Sequence, residues 1–227
     1  MPVILQMTSL DNTLKDRVIG IKDADFDHIT GKVYDLECLF ITDTHDWETM
    51  VMTESCECRV ALECLDRKEK GLFTQVMQHL EYYSYTKLFN EIEVLGKKDR
   101  DGILFRGLSL SKFYDGENAC GLKECLEAIK SHGNNSALPY FPTEQEISDL
   151  KVLYPRLDLY QLTCGHDVIH GLVCRFKKIT GRNPEQGKRE IALLFRLSYN
   201  LDFFKTTQLY QNVKRWGASH SVQAWVA

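Results

Sequence analysis

The pattern of apolar and polar positions predicts strands alternating with helices in the first two thirds of the chain and mostly helices in the last third. Residues 18–21 form a short apolar, β-branched run of the length that a buried parallel strand needs. Residues 38–41 form a second run of this kind, which predicts a neighbouring strand. Alternating residues at 103–110 and an apolar stretch at 157–163 predict two further strands.

Helices are predicted wherever apolar residues recur every three to five positions. Thr143 and Glu146 have the spacing of a capping box, so a short helix is expected to begin after Thr143. A further helix is expected to begin near His45, with Asp43 or Thr44 as its cap. The longer periodic segments are 67–95, 120–131, 168–180, 185–201 and 206–216.

Polar residues directly follow three of the predicted strands. These clusters are DADFD at 23–27, DTHDWE at 43–48 and GHD at 165–167. The carboxyl ends of parallel strands share one edge of a sheet, where α/β proteins bind their ligands. We therefore expect the three clusters to form one site, although a lone histidine such as His45 is more often a capping or core residue than a ligand.

The first cluster places carboxylates at alternate positions, Asp23, Asp25 and Asp27. In extended chain these side chains point the same way, and like charges held close together repel. A hard divalent cation relieves that repulsion, and Mg²⁺ keeps part of its shell as water or phosphate oxygen. The cluster therefore predicts a metal or phosphoryl site, with an aspartate-rich turn as the alternative.

The net charge of −4 hides an uneven distribution of charge. Residues 151–227 contain 12 Lys and Arg against 5 Asp and Glu, a net charge of +7, which leaves −11 for residues 1–150. This asymmetry is typical of a metal-dependent enzyme acting on a polyanion, and also of two parts that dock on each other. The candidates for phosphate contact, with a solvated helix face as the alternative, are Arg175, Lys177, Lys178, Arg182, Lys188 and Arg189.

Composition excludes several other classes. No apolar run reaches the roughly 18 residues of a membrane span, and no basic residue precedes the first apolar stretch, so neither a membrane anchor nor a signal peptide is predicted. A cytoplasmic location with reduced thiols is expected. The eight cysteines include no C-x₂-C pair, which favours scattered core cysteines over zinc ligands.

Most local motifs of enzymes are also missing. No glycine-rich nucleotide loop follows a predicted strand, and the chain has no G-x-S-x-G elbow. His166 and His170 have the i, i+4 spacing of a zinc pair, but the H-E-x-x-H motif is absent. Asp27 stands where haloacid-dehalogenase phosphatases have Thr or Val, which argues against that class. Metal-dependent glycosyltransferases with an Asp-x-Asp pair stay open as an alternative.

Three motifs in order resemble those of a bacterial TOPRIM-like family of formerly unknown function, whose members are often encoded beside ABC-type ATPases. The family includes the effector nuclease of the PARIS anti-phage system. The motifs are VIGIKDADFD at 18–27, CLFITDTHDWETMVM at 38–52 and LTCGHDVIHGLV at 162–173. With a Trp near the C-terminus, the resemblance covers about residues 18–216.

The resemblance implies an α/β fold in which a TOPRIM-like, mostly parallel sheet is flanked by helices, with a helix-rich C-terminal part. Residues 1–140 are then the α/β core, and residues 141–227 are a C-terminal strand and helices that pack on it in one continuous domain. TOPRIM-like enzymes carry a Glu on a strand before the Asp-x-Asp strand. The 22 residues before Asp23 contain no Glu, so the core is expected to be N-terminally incomplete.

The function implied by the resemblance is metal-dependent cleavage of nucleic acid, either tRNA, other RNA or DNA, by an effector of anti-phage defence. The expected cofactor is Mg²⁺ or Mn²⁺, and the expected partners are an ABC-type ATPase and a second copy of the chain. Because the upstream Glu is missing, a catalytically incomplete module that binds a partner ATPase is the alternative. The implied catalytic residues are Asp23, Asp25, Glu48 and His166. The implied metal ligands are Asp23, Asp25 and Asp27. The other motif positions are His45, Asp46 and Asp167.

Overall fold

A short parallel sheet lies at the start of the part of the chain that the computed structural model describes, which is residues 17–66, 69–95, 102–155 and 157–224. Within these residues the sheet consists of β1 (Gly20–Lys22) and β2 (Leu39–Ile41). The strands pair in parallel, with Ile21 opposite Phe40. A short helix, α1 (Asp27–Thr30), follows β1 and ends at Gly31, whose φ of 67° suits glycine. Both strands predicted in this segment are confirmed.

Helices form most of the rest of the described chain. The predicted capping box at Thr143 is confirmed, with Glu146 donating its backbone N–H to the Thr143 hydroxyl. None of the helices in the described ranges has both the length and the apolar character that a membrane crossing requires. The helices after β2 are α2 (Trp47–Val51), α3 (Glu54–Leu65), α4 (Leu72–His79), α5 (Glu81–Phe89), α6 (Leu122–Lys130), α7 (Glu144–Leu153), α8 (Leu159–Leu162), α9 (Gly165–Thr180), α10 (Pro184–Ser198), α11 (Leu201–Thr206) and α12 (Gln208–Ser219).

The main core surrounds α9, whose apolar face is buried against α4 and α10. Two glycines allow the backbones to approach closely. A Cβ at Gly171 would lie 2.5 Å from Val76 Cγ1, and a Cβ at Gly187 would lie 2.5 Å from the Phe176 ring. Because such contacts are shorter than van der Waals distance, any larger residue would force the helices apart.

A second apolar cluster joins segments that are distant in sequence. Phe26 and Leu88 are buried in it together with Ile147 and Leu162. The cluster therefore draws on both sides of the expected boundary between residues 140 and 141. The division into a core and a C-terminal part stays a prediction.

The predicted strand at 103–110 is wrong, because these residues form an irregular segment that ends in a 3₁₀ turn at Leu110–Lys112. Two side-chain amides, rather than a neighbouring strand, accept hydrogen bonds from the backbone of this segment. The backbone N–H of Ile103 donates to Asn90 Oδ1 over 2.7 Å, and that of Leu104 donates to Asn135 Oδ1 over 2.8 Å. The alternating apolar side chains pack into the core, but the backbone does not form the hydrogen bonds of a β-sheet.

The predicted strand at 157–163 is also wrong, since this segment contains the short helix α8. Asp158 caps it by accepting the backbone N–H of Tyr160 over 2.9 Å. The helix expected near His45 begins instead at Trp47, with Asp46 as its cap. The Asp43 carboxylate caps α12, accepting the backbone N–H groups of Gln208 and Leu209.

The architecture is thus α/β, but with far more helix than strand. Of the sheet that the sequence predicted, the described residues contain the β1–β2 pair, and the segments expected to add strands are irregular or helical. The polar clusters after β1 and β2 still lie at strand ends. The third cluster lies where α8 passes into α9.

Candidate functional site

A lysine ion-pairs with two of the three predicted carboxylates after β1. Lys22 Nζ lies 3.0 Å from Asp25 Oδ2 and 3.0 Å from Asp27 Oδ2. Asp25 has a φ of 51° and Asp27 begins α1, so the chain is not extended here and the alternation expected of a strand is lost. Burial of Lys22 disfavours its charge, but the hydrogen bonds to Asp27 and Asp25 outweigh this and raise the pKa of Lys22.

The third carboxylate, Asp23, has a different partner. Its Oδ1 accepts the backbone N–H of Trp47, the first residue of α2, over 3.1 Å. Its Oδ2 has no hydrogen-bond partner within the described ranges, and the residue is exposed. Asp23 therefore forms a hydrogen bond with the second motif, whereas Asp25 and Asp27 form ion pairs with Lys22.

Asp46 joins the second motif to the third. Its buried carboxylate accepts the backbone N–H of Thr49 through Oδ1 and that of Gly165 through Oδ2, over 2.9 and 2.7 Å. Burial favours the neutral acid, yet the nearby His45 ring and these two N–H groups hold the pKa of Asp46 at about 2. The carboxylate is thus ionised and links the starts of α2 and α9.

Gly165 lets these two helices approach closely. A Cβ at this position would lie 2.3 Å from Glu48 Cβ and 2.6 Å from Asp46 Oδ1. The glycine of the GHD motif is therefore required by packing. The close approach also brings His166 to Glu48, with Nδ1 3.4 Å from Oε1.

Glu48 and His166 line a cavity of about 440 Å³ between α2, α9 and α10. Lys188 and Arg196 from α10 contribute positive charge to its wall, and His170 contributes a second imidazole. Burial and the charge of Lys188 lower the pKa of His170, which favours its neutral form. The remaining lining residues are apolar or aromatic: Trp47, Val51, Ile169, Ala192, Phe195 and Tyr199.

The predicted phosphate-contact residues lie in several environments. Lys188 and Lys177 line a second cavity, which shares Lys188 and His170 with the first. Arg175 pairs with Glu69 and donates to the Tyr114 hydroxyl, whereas Lys178 lies 3.4 Å from Asp115 Oδ2. Arg182 and Arg189 are exposed and line neither of these two cavities.

Two motif residues have structural partners. Asp167 is buried and accepts a hydrogen bond from Lys87 Nζ over 2.7 Å. Burial of Lys87 opposes its charge, but Asp167 outweighs this effect and raises the pKa of Lys87. His45 is buried with its ring edge-on to Phe26, and its backbone carbonyl accepts the N–H of Asp25. Both residues hold the motifs together rather than line the cavity.

Sequence reasoning missed several residues of this region. Arg196 lies on the same face of α10 as Lys188, eight residues further on, and helical spacing could have found it. His170 was considered only as half of a zinc pair with His166, but it lines both cavities. Lys22 and Lys87 could not be recognised as partners of the aspartates, because one pairing depends on a left-handed turn and the other joins residues 80 positions apart.

Comparisons of the chain with protein-family models, with curated proteins and with solved structures give no match.

Proposed function

We propose that the protein is a metal-dependent nuclease that hydrolyses a phosphodiester bond of nucleic acid at the cavity between α2, α9 and α10. One observation carries the proposal. The cavity is lined by a carboxylate, two imidazoles and two cations on walls that are otherwise apolar or aromatic: Glu48, His166, His170, Lys188 and Arg196. A concave site with a few converging polar groups is where a ligand is expected to bind and react.

The carboxylates near the cavity suit a hard cation. Asp23 accepts the N–H of Trp47 with one oxygen and keeps the other for a ligand, and Glu48 is the next residue along α2. Mg²⁺ and Mn²⁺ prefer such oxygen donors. Asp25 is exposed and is available to the same ion only after it leaves Lys22. The proposal assigns the metal to Asp23 and Glu48, with Asp25 as a third ligand, and these three carboxylates would have to move closer together, since they do not form a group within 4.8 Å in the described residues.

The side chains around the cavity supply the remaining chemistry. A Mg²⁺ or Mn²⁺ ion held by Asp23 and Glu48 would supply the charge that polarises a phosphoryl oxygen and activates water. Lys188 and Arg196 bind the phosphate that is cleaved, because their positive charges lie on the wall of the cavity. His166, within reach of Glu48, is exposed and donates a proton to the leaving oxygen.

The resemblance to the TOPRIM-like family supplies the wider context of the proposal. The Asp-x-Asp follows β1 of a parallel pair, and the three motifs come together around α2 and α9. Through that resemblance, the proposal includes a TOPRIM-like core, a tRNA, other RNA or DNA substrate, a cytoplasmic location and a role in anti-phage defence beside an ABC-type ATPase. A homodimer belongs to the same proposal.

Replacing Asp23 by asparagine tests the proposal. We expect Asp23→Asn to lower the rate of Mg²⁺- or Mn²⁺-dependent cleavage of labelled tRNA, single-stranded RNA or DNA by at least about 100-fold, since one ligand and its charge are lost. The matched control is Asp202→Asn, whose carboxylate is 95 % exposed on α11. Equal cleavage rates for the Asp23→Asn and Asp202→Asn variants would contradict the proposal.

A partner-binding module is the second candidate, and an exposed apolar surface favours it. Leu193 and Leu197 lie one turn apart on α10 and are 53 % and 62 % exposed, and Leu201 on α11 is 48 % exposed. Neighbouring apolar residues of this kind often mark a contact with another protein. This candidate predicts that the protein co-purifies with an ABC-type ATPase and has no nuclease activity. Co-purification should be lost in the Leu193→Ser/Leu197→Ser variant and kept in the Asp23→Asn variant.

A further inference from the structure

A buried histidine beside the proposed nuclease site lacks the hydrogen bonds that its position requires. His45 is 5 % exposed, and its Nδ1 lies 3.5 Å from Asp46 Oδ2 without forming a hydrogen bond. Within the described part of the chain, neither Nδ1 nor Nε2 has a hydrogen-bond partner. Burying a polar group without a partner costs free energy, and an imidazole with both nitrogens unpaired is rare in a folded protein. The ring is held against Phe26 and cannot be regarded as solvated.

Two further ligand atoms lie next to this ring. The ring nitrogen of His45, a carboxylate oxygen of Asp46 and the Sγ of Cys164 are all within 4.8 Å of one another. His45 and Asp46 belong to the loop between β2 and α2, and Cys164 directly precedes α9. The sequence could not show this grouping, because the cysteine is separated from the His-Asp pair by more than a hundred residues.

Nitrogen, thiolate sulfur and carboxylate oxygen together are the donors that zinc prefers, whereas Mg²⁺ is bound by oxygen alone. We propose that His45, Asp46 and Cys164 bind a zinc ion, with water in the fourth position. The three donors lie within 4.8 Å of one another, and tetrahedral binding of zinc would draw them closer together.

The charges around the cluster match a divalent cation. When zinc binds, the Sγ–H bond of Cys164 breaks, its proton passes to the solvent and a zinc–sulfur bond forms. The thiolate and the carboxylates of Asp46 and Asp167 then carry three negative charges. The Lys87 ammonium, which pairs with Asp167, and the zinc ion carry three positive charges. The buried cluster is therefore neutral with zinc bound.

Such an ion would fasten the second motif to the third. The Asp46 carboxylate already accepts the N–H of Gly165, and the metal would add bonds on the same two segments. It would hold the start of α9 against α2 and so fix the positions of Glu48 and His166. This inference does not depend on the nuclease activity, since a clamp of this kind would stabilise the fold in an inactive protein as well.

Binding of Co²⁺ tests the proposal, because Co²⁺ can replace Zn²⁺ and its absorption spectrum depends on its ligands. We expect the metal-free full-length chain to bind one equivalent of Co²⁺ with a thiolate-to-cobalt charge-transfer band, and one equivalent of Zn²⁺ to remove that band. Replacing Cys164 by serine should abolish the band and weaken zinc binding by at least about 100-fold, because loss of even an outer-shell partner costs about 10- to 100-fold. His45→Gln should also weaken binding.

The matched control is Cys58→Ser, which changes an exposed cysteine on α3 and should leave the band intact. A charge-transfer band that persists in folded Cys164→Ser protein would place the metal elsewhere and overturn the proposal. If circular dichroism shows that the variants do not fold, metal binding by the wild-type chain still tests the proposal. Folded wild-type protein that takes up neither Co²⁺ nor Zn²⁺ from a metal buffer would overturn the proposal.

Discussion

Gly165 shows how a single residue positions the candidate site. It has no side chain to separate α2 from α9, so the Asp46 carboxylate can accept its backbone N–H and Glu48 can lie beside His166. The signal for this role was present in the sequence as the glycine of the GHD motif. Its reason was not, because the contact is with residues more than a hundred positions away.

Replacing Gly165 by alanine should therefore destabilise the protein. The added methyl group would collide with Glu48 Cβ and Asp46 Oδ1, and overpacking of this kind costs about 1–3 kcal/mol. Urea denaturation followed by circular dichroism measures the change. Gly121→Ala is the control, because its Cβ would meet only the flexible end of the Glu124 side chain. The account of Gly165 fails if the two variants have the same stability.

Residue chemistry also limited what could be predicted for the aspartates. The sequence identified Asp23, Asp25 and Asp27 as one group, on the assumption of extended chain. The left-handed φ of Asp25 divides the group, and Lys22 forms ion pairs with two of its members. Asn and Asp tolerate the left-handed region better than most residues, but nothing local indicates which aspartate will adopt it.

At the scale of elements, strong periodicity was a good guide and short apolar runs were not. Helices α9 and α10 were predicted because their apolar positions recur over many turns. In the structure, Gly181 ends α9 and Pro184 begins α10. The segments 103–110 and 157–163 were mistaken for strands. A short apolar run is buried equally well in an irregular segment or a short helix, so burial alone does not distinguish them.

Asn135 explains why segment 103–110 needs no neighbouring strand. Its Oδ1 accepts the N–H of Leu104, and its Nδ2 donates to the carbonyls of Leu104 and Ile129. Asn135→Ala should destabilise the protein by about 1–3 kcal/mol, because buried backbone groups are left without partners. Thermal and urea unfolding measure this loss. Asn134→Ala changes an exposed neighbour and should have little effect, and a similar loss in both variants would contradict this interpretation.

At the scale of the whole molecule, the charge asymmetry of the sequence has a structural counterpart. The basic C-terminal part contributes Lys188 and Arg196 to the wall of the cavity, and the acidic N-terminal part contributes Glu48, with Asp23 beside it. The distribution of charge predicted that the acidic and basic parts would either bind a polyanion or dock on each other. It could not predict a cavity between α2 and the α9–α10 pair, because that depends on how three helices pack.

The central claim is that Glu48 helps to hold the metal at the cavity where the bond is cleaved, and one comparison tests it most directly. Single-turnover cleavage of a labelled RNA or DNA should be measured in Mg²⁺ or Mn²⁺ for wild-type protein and Glu48→Gln, together with the affinity of each for the same substrate. We expect the cleavage rate to fall by at least about 100-fold while binding, which depends on Lys188 and Arg196, changes little. An unchanged cleavage rate in folded Glu48→Gln protein would contradict the account.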